Sequence, residues 1–239
     1  MAMNLPDAKA IKGLIKNRYR RTPCILLLDT SYSMNGQKIS DLNSGLQQFF
    51  AEVKAHPVAS QSVDTCIIGF GPVRIIRDFH TSSELPEVPK IEALGTTPLT
   101  EALELSMLLV EKRKELYRNT GVQYFRPWIW LLTDGIPTDE CGNFSEDYKR
   151  LLNPLQLAAQ EKKFELFAIG FNLDATGKQI LNELSRPWGR KSLNLKPGMF
   201  SEMFSWLSAS LRNVSTSQPG ETIPFKRPDG DDGWAFIDV

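Results

Sequence analysis

Three well-separated stretches of this chain of 239 residues place oxygen-bearing side chains at the ends of apolar runs. The run 24–28 stops at Asp29, and Ser31 and Ser33 follow at alternate positions in "DTSYS". Thr96 and Thr97 stand in "LGTTPL", just before a helix-like pattern, and "WIWLL" ends at Thr133, Asp134 and Gly135. Carboxylates and hydroxyls without imidazole or thiolate form a hard-oxygen donor set, suited to Mg²⁺, Mn²⁺ or Ca²⁺ rather than zinc or copper. Asp29 and Asp134 balance the charge of a divalent cation. Ser31, Ser33 and Thr97 add neutral oxygens without mutual repulsion. Mg²⁺ keeps several waters and takes few protein carboxylates, which leaves an exchangeable position for a partner's acidic side chain.

Such residues act together only if the fold brings them to one place. The uniformly apolar stretch 24–28 reads as a parallel strand covered on both faces, and the largely apolar stretches 127–135 and 164–171 read as further strands. "DTCIIGFG" and "VRIIRDF" read as two strands joined by Gly71-Pro72, a joint so short that one must run antiparallel to the other. Helical spacing appears at 7–20, 39–54, from Pro98 to about Tyr117, and at 146–162, 175–185 and 198–212, while 192–195 suits a short last strand. Pro98 fits the first turn of its helix. Strands alternating with helices predict an α/β fold, a doubly wound, mostly parallel sheet with one antiparallel edge strand and helices on both faces. In such sheets ligands bind beyond the carboxyl ends of the strands, which is where the three polar stretches fall.

The sequence resembles the von Willebrand factor A (vWA) family. Its metal-ion-dependent adhesion site joins an Asp-x-Ser-x-Ser loop to a distant Thr and a distant Asp. "DTSYS" matches the first part, "GTTPLTEAL" is similar to the family's Gly-Gly-Thr-Pro-Leu segment, and "LLTDG" is similar to the segment of the second Asp. The resemblance covers roughly residues 22–213, selects Thr97 over Thr96, and implies Mg²⁺ held by Asp29, Ser31, Ser33, Thr97 and Asp134. It implies a protein-binding role in which a partner's Asp or Glu completes the shell. Within the family the chain most resembles the bacterial TerY-type proteins of tellurite-resistance and stress gene clusters.

Other chemistries fit less well. A serine triad needs a base, and the two histidines, His56 and His80, fall away from the expected rim. No G-x-S-x-G elbow is present. The enzymatic alternative is a Mg²⁺-dependent phosphatase-like hydrolase with Asp29 as nucleophile; Ser31 stands where a second acid is wanted, and no clear lysine counterpart supports it, although Lys178 precedes a later helix. "NLDATGKQ" misses a phosphate-binding loop at Asn172 and Gln179, so Gly177 reads as part of a helix-entry turn. Asp139, Glu140 and Asp147 read as solvated or capping residues. The expectation is therefore a binding module, not an enzyme.

Lys+Arg and Asp+Glu both number 28, so no basic excess points to nucleic acid. Cys24, Cys66 and Cys141 have no zinc-like spacing and read as reduced thiols. No stretch has the length of a membrane span, and no apolar signal-peptide core follows Met1, so a cytoplasmic address is expected. Residues 1–21 read as a basic, helical extension with Ile11, Leu14 and Ile15 on one side. Residues 22–214 form the domain, and 215–239 an extended or flexible tail. The tail's Trp234, Phe236, Ile237 and Val239 are apolar enough to dock, while Asp229, Asp231, Asp232 and Asp238 read as solvated. Oligomeric state is not legible.

Overall fold

The computed structural model describes residues 8–84, 87–196, 198–218, 221–225 and 235–238. In chain order its elements are α1 (Ala8–Lys16), β1 (Thr22–Asp29), α2 (Gln37–Ala55), α3 (Ala59–Ser62), β2 (Val63–Phe70), β3 (Val73–Thr81), α4 (Leu99–Thr120) and β4 (Trp128–Thr133). Then come α5 (Leu152–Gln160), β5 (Glu165–Phe171), α6 (Ala175–Ser185), β6 (Leu193–Leu195), α7 (Phe200–Thr216), β7 (Thr222–Phe225) and β8 (Ala235–Asp238).

Every residue of β1, β2, β4 and β5 is buried. Strand side chains alternate between faces, so strands apolar on both faces need cover on both. Cys24, Leu26 and Leu28 of β1 join one core with residues of α2 and α7, including Phe49, Phe204 and Leu211. Ile25 and Leu27 join the opposite core with Leu103, Leu155 and Leu181 of α4, α5 and α6. Each fully buried aliphatic or Phe side chain contributes about 1.5–3 kcal/mol. The aromatic weight lies on the first face. The Trp130 ring stacks on Phe167 with centroids 4.6 Å apart and meets Trp206 of α7 edge-on at 5.2 Å.

The sheet has six strands in the order β3-β2-β1-β4-β5-β6. All neighbours are parallel except β2 and β3, which form the expected antiparallel edge around Gly71-Pro72. From β1 the chain moves one way to β2 and β3, then crosses to the other side for β4. The crossover direction therefore reverses at the β1–β4 boundary, and a crevice opens outside the carboxyl ends of those strands.

The elements depart from expectation in a few places. α1 ends at Lys16, short of the expected limit at residue 20. Leu14 is buried, but Ile15 is 53% exposed and so does not share its packed side; the side chain of Ile11 lies outside the described residues. Pro98 is the N-cap residue of α4, with ψ 65°, rather than part of its first turn, because Leu99 N–H already bonds back to Thr97 O at 2.8 Å. α4 runs to Thr120 and stops at Gly121, which takes the left-handed conformation at φ 69°. The stretch expected as one helix over 146–162 is a 3-10 turn at Asp147–Leu151 followed by α5. Pro154 supplies the reason, since its ring cannot pack against the carbonyl of residue 150 in a continuous α-helix. α7 continues to Thr216.

Beyond α7, β7 and β8 pair antiparallel, Thr222 opposite Asp238 and Phe225 opposite Ala235, and Ile223 packs on the core of the α2–α7 face. Trp234, Val239, Asp229, Asp231 and Asp232 lie outside the described residues, as do the side chains of Phe236, Ile237 and Asp238. Among the described residues no helix is long and apolar enough to cross a membrane.

Candidate metal centre

Asp29 closes β1, and its register partner on one side is Phe70 at the end of β2. Leu28 pairs with Leu132 of β4, so Thr133 comes level with Asp29 and Asp134 lies just beyond it. Strand register alone thus brings residues more than a hundred positions apart to one edge.

Hydrogen bonds join most of the expected set. Asp29 Oδ1 accepts from the Ser31 backbone N–H at 2.9 Å, and Asp29 Oδ2 accepts from the Thr133 hydroxyl at 2.5 Å. The Ser31 and Ser33 hydroxyl oxygens are 2.9 Å apart. The Ser33 hydroxyl donates to Asp134 Oδ1 at 2.6 Å. Asp134 Oδ2 takes the Lys38 ammonium in an ion pair, and the same ammonium reaches Ser33 O at 3.3 Å. Asp29, Ser31, Ser33 and Asp134 therefore form one continuous polar cluster, with Thr133 behind it and Lys38 at its mouth.

Thr97 stands beside that cluster, and its hydroxyl is not part of the hydrogen-bonded chain. Its backbone is held on both sides: Thr97 N–H donates to Thr138 Oγ1 at 2.7 Å, and Thr97 O accepts from Thr138 N–H at 3.0 Å. The loop before it is tied to the Asp29–Ser33 loop, since Tyr32 N–H donates to Gly95 O at 2.9 Å and Leu94 N–H to Thr30 O at 2.7 Å. Thr97 is buried and Thr96 half-buried. The contact between these loops requires glycine. Gly95 has φ +77°, and a Cβ there would stand 1.8 Å from Gly71 O; a Cβ on Gly71 would stand 2.2 Å from Thr30 O. Gly95→Ala is therefore expected to separate the two loops, costing about 1–3 kcal/mol of stability. Urea denaturation reads that loss, and any cation binding at this edge should weaken with it in a cation titration.

Burial raises the Asp29 carboxyl, and the charge of Asp134 adds to this. The hydrogen bonds from Ser31 and Thr133 pull the other way, and the balance leaves Asp29 pushed up to about 6. A fully buried carboxylate with donors but no cation of its own is the electrostatic situation a bound cation relieves. Among the described residues no three His, Cys, Asp or Glu side chains come together, so any cation here relies on hydroxyl oxygens as well as the two carboxylates. The donor set fits a hard divalent ion by that chemistry, and the Lys38–Asp134 pair shows that this edge accepts positive charge.

Sequence reasoning placed Thr133 at the rim without giving it a role, and passed over Lys38 and Thr138. The role of Thr133 was discoverable, since it stands one residue before Asp134 at a strand end. Nothing marked Lys38 or Thr138, whose positions depend on how α2 and the loop after β4 turn back. The bases rejected above lie elsewhere. His56 Nδ1 accepts from Ala59 N–H at 3.1 Å at the start of α3, and exposed His80 pairs with Thr65, at the end of β2 away from Phe70. Lys178 lies on α6 beside Arg186, away from this cluster. Asp174 caps α6 by accepting from Gly177 N–H at 2.7 Å, so "NLDATGKQ" is a helix entry. Asp139 closes a turn, accepting from Cys141 and Asn143 N–H at 2.9 and 2.8 Å. Cys24 and Cys66 are buried and free, and Cys141 is exposed and free.

A six-stranded, mostly parallel sheet with one antiparallel edge, wrapped by helices, is a von Willebrand factor A-like α/β fold. The vWF domain of the type V pili tip protein Mfa5 from Porphyromonas gingivalis aligns with TM-score 0.56 at 10% identity, over 86% of this chain and 99% of that one. Proximal thread matrix protein 1 from the mussel byssus aligns with TM-score 0.55 at 15% identity, over 82% of this chain and 49% of that one. At such identities the likeness is one of fold. No protein-family profile and no curated protein matches the sequence.

Proposed function

We propose that the chain is a divalent-cation-dependent protein-binding module of the metal-ion-dependent adhesion type, and not an enzyme. The observation that carries this reading is the hydrogen-bonded run Ser31–Ser33–Asp134 beside buried Asp29, at the β1–β4 edge where the crossover direction reverses. Asp29, Ser31, Ser33, Thr97 and Asp134 would hold Mg²⁺, or Mn²⁺ or Ca²⁺ in its place. The bound ion would supply a Lewis-acidic position for one carboxylate oxygen of a partner's Asp or Glu.

The chain's own residues do the rest. Thr133 and the Ser31 N–H fix the orientation of Asp29. Thr138 fixes the backbone of Thr97. Around the edge, Tyr32 is 70% and Leu94 62% exposed, and they offer apolar contact beside a charged anchor, the arrangement in which a central polar contact gives orientation and neighbouring apolar area gives affinity. The phosphatase alternative loses support from the same geometry. The Asp29 side chain is fully buried, a position that a small ion reaches more readily than a phosphoester, and Ser31 stands where phosphoryl transfer wants a second acid. A role beside TerY-type proteins in a bacterial tellurite-resistance or stress system, in the cytoplasm, is the cellular setting that the motif resemblance favours.

The test is affinity capture with the whole chain as bait, with Mg²⁺ and again with EDTA. A partner retained with Mg²⁺, released by EDTA and lost with Asp134→Ala is the expected outcome. Retention unaffected by EDTA, or phosphoester turnover dependent on Asp29, would overturn the reading.

A further inference from the structure

Lys38 gives the proposed cation site a regulatory feature. Its ammonium is paired with Asp134, whose side chain is fully covered, while the lysine side chain remains 39% exposed. Lys38 is the second residue of α2. A positive charge on the first turn of a helix opposes the helix dipole, so α2 itself does not favour the ammonium there. The contacts that hold it at this edge are Asp134 Oδ2 and Ser33 O. Both belong to the loops that would receive a cation. A lysine stem is long and flexible enough to swing outward without moving the helix.

We propose that Lys38 is a displaceable internal counter-ion: a divalent cation takes its place on Asp134, and the released ammonium becomes a second contact for the partner's acidic group. This rests on the cation-site reading above and adds regulation to it. In the exchange Asp134 gives up an ammonium and gains a metal ion, so the chain weakens its own affinity for the ion. A partner carboxylate, with one oxygen toward the ion and the other toward Lys38, restores the lost pairing. Ion and acidic partner therefore bind cooperatively, because each is held better when the other is present.

Mn²⁺ titration followed by the electron paramagnetic resonance of the free ion separates the possibilities. Lys38→Met keeps the apolar stem and removes the charge. It should bind Mn²⁺ about tenfold more tightly than wild type, the scale of one charge-assisted hydrogen bond. Lys38→Arg keeps the charge and should stay close to wild type. A second measurement needs no variant: in wild type, the rate at which a brief pulse of amine acetylation modifies Lys38, relative to Lys54 on the same helix, should rise severalfold on saturation with Mn²⁺. Binding that is equal in wild type and Lys38→Met, or Lys38 labelling that Mn²⁺ leaves unchanged, overturns the exchange while leaving the site intact. Absence of Mn²⁺ binding in both wild type and Lys38→Met overturns the site reading and this proposal together.

Discussion

Replacing Asp29 and Ser31 together by alanine is expected to abolish saturable Mg²⁺ or Mn²⁺ binding, lowering affinity by at least about a hundredfold. The effect is large because Asp29 is a whole negative charge in a fully buried position, and Ser31 links it to the rest of the donors through its backbone N–H and its hydroxyl. Without Asp29, Asp134 is the remaining carboxylate of the proposed set. A divalent ion would then keep an uncompensated charge in a poorly solvated place. Asp29→Asn separates loss of charge from loss of fold, because it keeps the side-chain shape and an oxygen able to accept from Ser31 N–H. Its circular dichroism should match wild type while calorimetry shows the loss of cation binding. Wild-type affinity in the folded double variant would mean that this edge does not hold the ion.

Asp64→Asn is expected to destabilise the fold by about 3–5 kcal/mol, far from the proposed cation site. Asp64 is the second residue of β2, at the opposite end of the strands from Asp29. It accepts from the Tyr117 hydroxyl at 2.5 Å and the Thr81 hydroxyl at 2.8 Å, and pairs with Arg113 at 2.7 Å and Arg21 at 3.5 Å. These contacts tie together β2, β3, α4 and the residue that leads into β1. The asparagine would leave two largely buried guanidinium groups without their counter-charge. Burial pushes the Asp64 carboxyl up, but Arg113, Arg21 and Tyr117 outweigh it and hold it below its ordinary value. A depressed folded value means that Asp64 adds stability above the unfolded-chain value of about 3.9, and that this stability drains away as pH falls from there through the folded value. Urea midpoints of wild type and Asp64→Asn should therefore differ widely at pH 7 and converge as the pH drops below about 4. Equal midpoints at pH 7 would show that the buried cluster contributes nothing net.

The alternation of apolar strands and amphipathic helices was readable in the chain because burial imposes period. β1 and β4, enclosed on both faces, show unbroken apolar runs at 24–28 and 128–132, and the helices over them show an apolar stripe. The hairpin at Gly71-Pro72 was readable from its length alone. Helix limits were less so. Pro98 caps α4 because of a backbone bond to Thr97, and α5 starts late because Pro154 acts on a carbonyl four residues back. These are local geometries that spacing does not encode. The exposure of Ile15 depends on where α1 meets the domain, as at Leu14 and Arg21.

Residue types are enough to set the kind of chemistry on offer at this edge: Asp29, Ser31, Ser33, Thr97 and Asp134 are hard oxygen donors whatever the fold, and apolar runs put the two aspartates at or just beyond strand ends. Which of these groups touch follows from the packed fold. The β1–β4 register sets Thr133 against Asp29, Ser33 bridges to Asp134, Gly71 and Gly95 let two loops meet backbone to backbone, and Lys38 turns in from α2 to neutralise Asp134. Residue type is a property of one position, whereas contact depends on register and loop path, which the whole packed core sets at once.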